Sequence, residues 1–192
     1  MGAPRLLAFD GSLRRGSFNR LLLRHAVEGA RRAGAEVTQL LLSEHPMPLF
    51  DEDLEREQGM PEGASRFKAA LVAHPGFLVA CPEYNSSITA ALKNAIDWAS
   101  RAAPGEPALA AFRGKVAVLM AASPGALGGL RGLVTVRSIL GNIGVIVLPD
   151  QLALGRAHEA FDAEGRLKDE RQRAAAEGLG AALARVTSRL AG

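Results

Sequence analysis

Cysteine is nearly absent from this chain: Cys81 stands alone among 192 residues, so no disulfide can close within the molecule and a reducing compartment is its natural setting. Aromatic residues make up only 5%, with one tryptophan and one tyrosine. They are not interleaved with the arginines, as a stacking surface for single-stranded nucleic acid requires. No apolar run reaches the roughly 20 residues of a membrane span, and no basic-then-apolar leader opens the sequence, so the expected location is the cytoplasm. The histidines at 25, 45, 74 and 158 keep no metal-ligand spacing, and no metal is expected. Fingerprints are missing too. There is no G-x-x-x-x-G-K-[ST] loop for nucleoside triphosphates and no G-x-G-x-x-G for a dinucleotide. Neither Ser12 nor Ser123 sits in a G-x-S-x-G elbow. Cys81 and Pro82 stand where a receiver domain would place its phosphoacceptor aspartate.

What is present is the composition of a globular protein, 48% hydrophobic and 22% charged. The formal charge of +3 comes from arginines scattered among acids, so nucleic acid is not an expected partner. The length suits one domain over residues 1–192. Short apolar runs alternate with longer segments of helical period, the pattern of a doubly wound α/β fold with a parallel sheet covered on both faces. Strands are expected at 4–10, 35–42, 114–123 and 145–149, with 75–85 carrying the third strand into a loop, and helices at 18–33, 64–74, 90–102, 129–144 and 168–190. The piece from 43 to 63 reads as an irregular loop, functional or mobile.

Ligands of such sheets bind beyond the carboxyl ends of the strands, where the chain order reverses. The loop "GSLRRGSFN", residues 11–19, leaves the first strand and enters the first helix. The unpaired N–H groups and positive end of that helix face it, Gly11 allows close backbone approach, and Ser12, Ser17 and Asn19 offer side-chain donors. Arg14 adds a permanent charge. Together they read as a phosphate site; the alternative is a helix capped by Ser17 or Asn19 with surface arginines.

The second loop, "PEYNSSITAALKNAIDWASR" (82–101), taken with 11–19, resembles the NADPH-dependent FMN reductase family, which includes azo-, quinone- and chromate-reducing members. "PMPLFDEDLE" (46–55) and "SPGALGGLRG" (123–132) resemble the family's loops after strands two and four, so the likeness spans nearly the whole chain. One departure stands out: many members carry Pro-Gly where this chain has Thr89-Ala90. The resemblance implies a flavodoxin-like fold, five parallel strands in the order 2-1-3-4-5, bound FMN, and NADPH or NADH as transient reductant. It also implies a homodimer with possible pairing into tetramers.

The expected cofactor-binding residues are Ser12, Arg14, Ser17, Phe18, Asn19, Pro82, Glu83, Tyr84, Asn85, Ser123, Gly125 and Gly128. In this reading Pro82 to Asn85 form a stiff turn along the pyrimidine edge, and Tyr84 either covers the ring or packs under the loop. Glu83 makes structural hydrogen bonds, and Gly125, Gly128 and Gly129 allow close approach from the third loop. Trp98 is core or subunit contact, and no residue is nominated as a general acid or base because the flavin carries the chemistry. The expected activity is hydride transfer from nicotinamide through flavin to a small acceptor: free flavin, a quinone, an azo compound or a metal oxyanion. The competing reading is an FMN-binding electron carrier or redox-linked interaction protein; such carriers are usually acidic, and this chain has an excess of base.

Overall fold

The computed structural model describes residues 2–190. Its centre is a five-stranded sheet of β1 (Arg5–Asp10), β2 (Glu36–Leu41), β3 (Gly76–Ala80), β6 (Val116–Ala122) and β7 (Ile146–Leu154). The strands pair in parallel in the order β2-β1-β3-β6-β7, which is the expected 2-1-3-4-5 once a separate hairpin, β4 (Glu83–Tyr84) and β5 (Ser87–Ile88), is set aside. Central β3 and β6 are buried throughout, as strands covered on both faces must be.

Alternation along each strand divides two apolar layers. Leu6 and Ala8 of β1, with Val118 and Met120 of β6, meet α1 (Phe18–Arg32) and α7 (Glu170–Leu190). Leu7, Phe9 and Leu119 point to the other side. There they meet α3 (Glu62–Ala73), α4 (Ala90–Ser100) and α5 (Leu130–Asn142). Two short helices complete the set, α2 (Glu52–Gln58) and α6 (Ala157–Ala160). Among the described residues no helix is long and apolar enough to cross a membrane.

Three expectations change. The 43–63 segment is not irregular: a 3-10 turn (Leu42–Glu44), α2 and the start of α3 occupy much of it. Asp51 caps α2 by accepting the N–H groups of Asp53 and Leu54 at 2.8 and 3.4 Å. No residue of α2 is buried, so it lacks the apolar stripe by which helices are recognised in sequence. The segment is pinned on α4 by Asn94, whose amide takes the Phe50 N–H (2.7 Å) and donates to the Pro48 carbonyl (2.8 Å). Trp98, fully buried, donates to the same carbonyl at 2.8 Å.

The third strand covers Gly76–Ala80, and the loop expected after it is a hairpin. Asn85 and Ser86, with φ of 50° and 66°, turn the chain back as a two-residue hairpin. The fifth strand runs past Pro149 to Leu154. Its register slips, with Ala117 opposite Val147 but Leu119 opposite Gln151, and proline is tolerated in this bulge because β7 is an edge strand. Arg137 of α5 donates to Leu148 O at 2.9 Å and to Gln151 Oε1 at 2.9 Å, satisfying acceptors that the bulge leaves free.

Candidate functional site

The carboxyl ends of β1, β3 and β6 open onto one concavity of about 60 Å³. All the residues expected at the site line it except Asn85, Gly125 and Gly128. Ala122 and Pro124 line it as well; neither carries a functional group that sequence reasoning would single out.

From the first loop, Ser12 Oγ accepts the Arg14 N–H at 3.2 Å and shapes the turn. Ser17 is the N-cap of α1, its Oγ accepting the Arg20 N–H at 3.2 Å. The same hydroxyl donates to Asp10 Oδ2 at 2.8 Å. Asp10 is wholly buried at the end of β1 and pairs with Arg20 at 3.5 Å. Burial raises its pKa above the usual carboxylate range, while the Ser17 hydroxyl and the Arg20 charge oppose the rise. Asn19 reaches across to β6, where Oδ1 accepts the Ala122 N–H at 2.9 Å and Nδ2 donates to the Ala122 carbonyl at 2.8 Å.

These bonds revise the source of the donors. The Ser17 hydroxyl donates its proton to Asp10 and the Asn19 amide uses one of its two N–H groups on Ala122, so the loop offers a ligand the remaining Asn19 amide N–H, the backbone N–H groups of Phe18 and Asn19, which lack intrahelical acceptors, and the exposed Arg14. Phe18 stacks on Phe161, ring centroids 6.2 Å apart.

In the second loop Glu83 accepts the Gly132 N–H at 2.9 Å and pairs with Arg131 at 3.0 Å, tying the hairpin to the first turn of α5. It is therefore a brace with no acid–base partner. Tyr84 is 53% exposed, an aromatic face presented to solvent at the rim. Asn85 sits at the hairpin tip, outside the lining of the concavity. In the third loop Ser123 Oγ accepts the Gly125 N–H at 3.3 Å, and its backbone is bonded to Leu154 and Ala157. Gly128 has φ of 63°, and a Cβ on it would lie 2.6 Å from the Gly155 nitrogen. Its missing side chain thus serves the contact with the β7–α6 link and not approach to a ligand.

Thr89 replaces the proline of the family pattern with a hydroxyl that caps α4. Cys81, beneath the site, is buried, and burial, aided by the Glu83 charge, pushes its thiol up to about 12. Away from the site, His25, Glu28 and Glu177 bring possible ligand atoms within 4.8 Å of one another. His25 Nε2 accepts the Leu167 N–H at 3.2 Å, and its buried Nδ1 has no hydrogen-bond partner among the described residues.

A larger hollow of about 500 Å³ lies beside the concavity, lined by Leu13, Leu42, Met47, Leu49, Ala91 and Asn94 among others. It presents no lysine or arginine and does not suit a phosphate. The small concavity, with Arg14 and the N-terminal end of α1 on its wall, has the size and the charge for one phosphate.

Residues 4–159 match the family described as NADPH-dependent FMN reductase. An NAD(P)H-dependent FMN reductase of Pseudomonas aeruginosa is 38% identical over 170 residues, covering 88% of this chain and 87% of that protein. An NADPH:quinone oxidoreductase of Arabidopsis thaliana is 34% identical over 171 residues, covering 86% and 83%. Among solved structures, the flavoenzyme NAD(P)H:(acceptor) oxidoreductase FerB of Paracoccus denitrificans superposes with a TM-score of 0.80 at 27% identity, covering 97% of this chain and 98% of that one. With its sheet order, its phosphate-sized concavity at the strand ends and these likenesses, the chain belongs to the NADPH-dependent FMN reductase family and is an NAD(P)H-dependent flavin oxidoreductase.

Proposed function

We propose that this chain, as one FMN-binding domain over residues 1–192, holds FMN across the ends of β1, β3 and β6 and passes reducing equivalents from NADPH or NADH to a small apolar acceptor. The observation that carries this reading is the concavity itself, where the free N–H groups of α1 and the Arg14 charge meet the exposed Tyr84 rim. FMN, when bound, would supply the redox chemistry that links nicotinamide to acceptor by hydride transfer. The protein binds and orients. Phe18 N–H, Asn19 N–H and Arg14 hold the phosphate, and Ser12 shapes their loop. Pro82, Tyr84, Ser123 and Pro124 line the same concavity and would hold the ring.

No fingerprint for a permanently bound dinucleotide is present, so nicotinamide and acceptor use the open side in turn. The hollow around Leu13, Met47 and Leu49 favours a quinone or an azo compound over a metal oxyanion, which would find no fixed cation there. Anaerobic NADPH or NADH should bleach the yellow protein within seconds, and steady-state rates against a quinone should give parallel double-reciprocal lines. A yellow protein indifferent to both nicotinamides would overturn the reading.

The working form is a homodimer, able to pair into tetramers, in the cytoplasm. Leu92, Ala95, Ile96, Trp98 and Ala99 of α4 are used up within the subunit, Trp98 as core. Exposed apolar side chains on and beside α5, Leu127, Leu130 and Val134 among them, would make the contact. Light scattering should give a dimer mass that Val134→Lys lowers; a wild-type monomer at micromolar concentration would remove the idea.

A further inference from the structure

The phosphate-side loop and the ring-side hairpin belong to different crossovers, yet a ligand that spans both needs a fixed separation between them. Thr89 joins them. It follows the hairpin and caps α4, its Oγ1 accepting the Leu92 N–H at 3.1 Å. The same hydroxyl donates its proton to the Gly11 carbonyl at 2.6 Å, 78 residues away in the chain. One hydroxyl can do both, having a single donor and two acceptor lone pairs. Thr89 is 4% exposed, so water does not compete for either bond.

Gly11 is met from other directions as well. Its N–H donates to the Ala80 carbonyl at 2.9 Å, and a Cβ on it would lie 2.9 Å from the Leu92 Cβ. The first residue of the phosphate loop is thus seated between the end of β3 and the first turn of α4, and among the described residues the side-chain hydrogen bond in that seat comes from Thr89.

We propose that Thr89 is a positioning residue for the cofactor: acting through Gly11, it sets the place of the phosphate loop relative to the hairpin, and so favours a ligand that carries a flat ring and a phosphate in one molecule. The proposal rests on the FMN reading above. Without the hydroxyl, Gly11 keeps a buried carbonyl without a partner, α4 loses its cap, and loop and hairpin settle independently. A ligand with only the ring end then loses little, while one that must reach both ends loses most.

The test compares FMN with riboflavin, which lacks the phosphate, by fluorescence titration of the apoprotein. Wild type, Thr89→Val, Thr89→Ala and Thr89→Ser are measured, with thermal unfolding alongside. We expect the preference for FMN over riboflavin to fall roughly tenfold in whichever of the Val and Ala variants folds, the scale of one buried hydrogen bond. Thr89→Ser, which keeps the hydroxyl, should hold the preference within about twofold of wild type on the same scale. A Val or Ala variant that melts earlier but keeps the full preference would reduce Thr89 to a helix cap and overturn the proposal. So would a Ser variant that loses it. Wild type that binds neither flavin would take down the FMN reading and the proposal together, whereas unchanged preference in the Val variant removes the proposal alone.

Discussion

Replacing Arg14 by alanine isolates the charge term of cofactor binding. Among the described residues lining the concavity, Arg14 is the sole arginine or lysine. The neighbouring Arg20 is paired with the buried Asp10, so that couple adds little net charge. The Ser17 hydroxyl and the Asn19 amide are engaged with Asp10, Arg20 and Ala122, and both are neutral, so neither replaces the charge. Hydrogen bonds to charged groups are worth about 1.5 to 3 kcal/mol. Arg14 is exposed, so water and salt screen it and the low end applies. Arg14→Ala should therefore weaken FMN by about 1.5 kcal/mol, roughly a tenfold rise in Kd. Titration of the apoprotein by flavin fluorescence reads this directly. Riboflavin should bind both proteins alike, and the FMN difference should shrink as ionic strength rises. Thermal unfolding without ligand should be unchanged, because the loop uses the Arg14 backbone N–H, which alanine retains. Equal losses for FMN and riboflavin would move Arg14 out of the phosphate site and refute the reasoning.

Asn19→Ala should destabilise the protein by about 2 to 4 kcal/mol in urea unfolding, since it strands the Ala122 N–H and carbonyl in a buried place; a loss below ~0.5 kcal/mol would contradict the double bond. Folding raises the Asp10 pKa above its usual 3.8, chiefly through burial, so its stabilising contribution is full below the unfolded value and is lost as pH rises through the folded one. Asp10→Asn escapes that loss, and its Tm relative to wild type should climb from mildly acid pH to neutrality; a flat difference would count against it. Cys81, buried with its thiol near 12, should resist thiol reagents at neutral pH until the protein is unfolded, and rapid labelling of the native state would show that burial wrong.

Several features were legible because they are local. The apolar runs that became β1, β3 and β6 alternate with helical periods, and period alone assigns layers. Ser17 before the pattern of α1 is a capping residue wherever that helix goes. The loops after β1, β3 and β6 meet because parallel strands put their carboxyl ends on one edge. Other features left weaker marks. The exposed helix α2 has no apolar stripe, and only the Asp51 cap hints at it. The hairpin turns on Asn85-Ser86 in place of the commoner Asn-Gly, and β7 continues through a proline because it lies at an edge.

The sequence by itself determined the doubly wound sheet, the family and the loops that gather at the strand ends, since all of these follow from short-range periodicity and motif. Only the tertiary structure decided what each polar group bonds to. Ser17 and Asn19 read as donors to a ligand, yet each is held by a partner on another element, with Asn19 and Ala122 separated by 103 residues. A hydroxyl or amide has the same chemistry whether it faces phosphate or its own chain. Which one it faces depends on the elements packed against it, because a buried donor or acceptor must find a partner within hydrogen-bond reach, and packing alone brings such distant residues together.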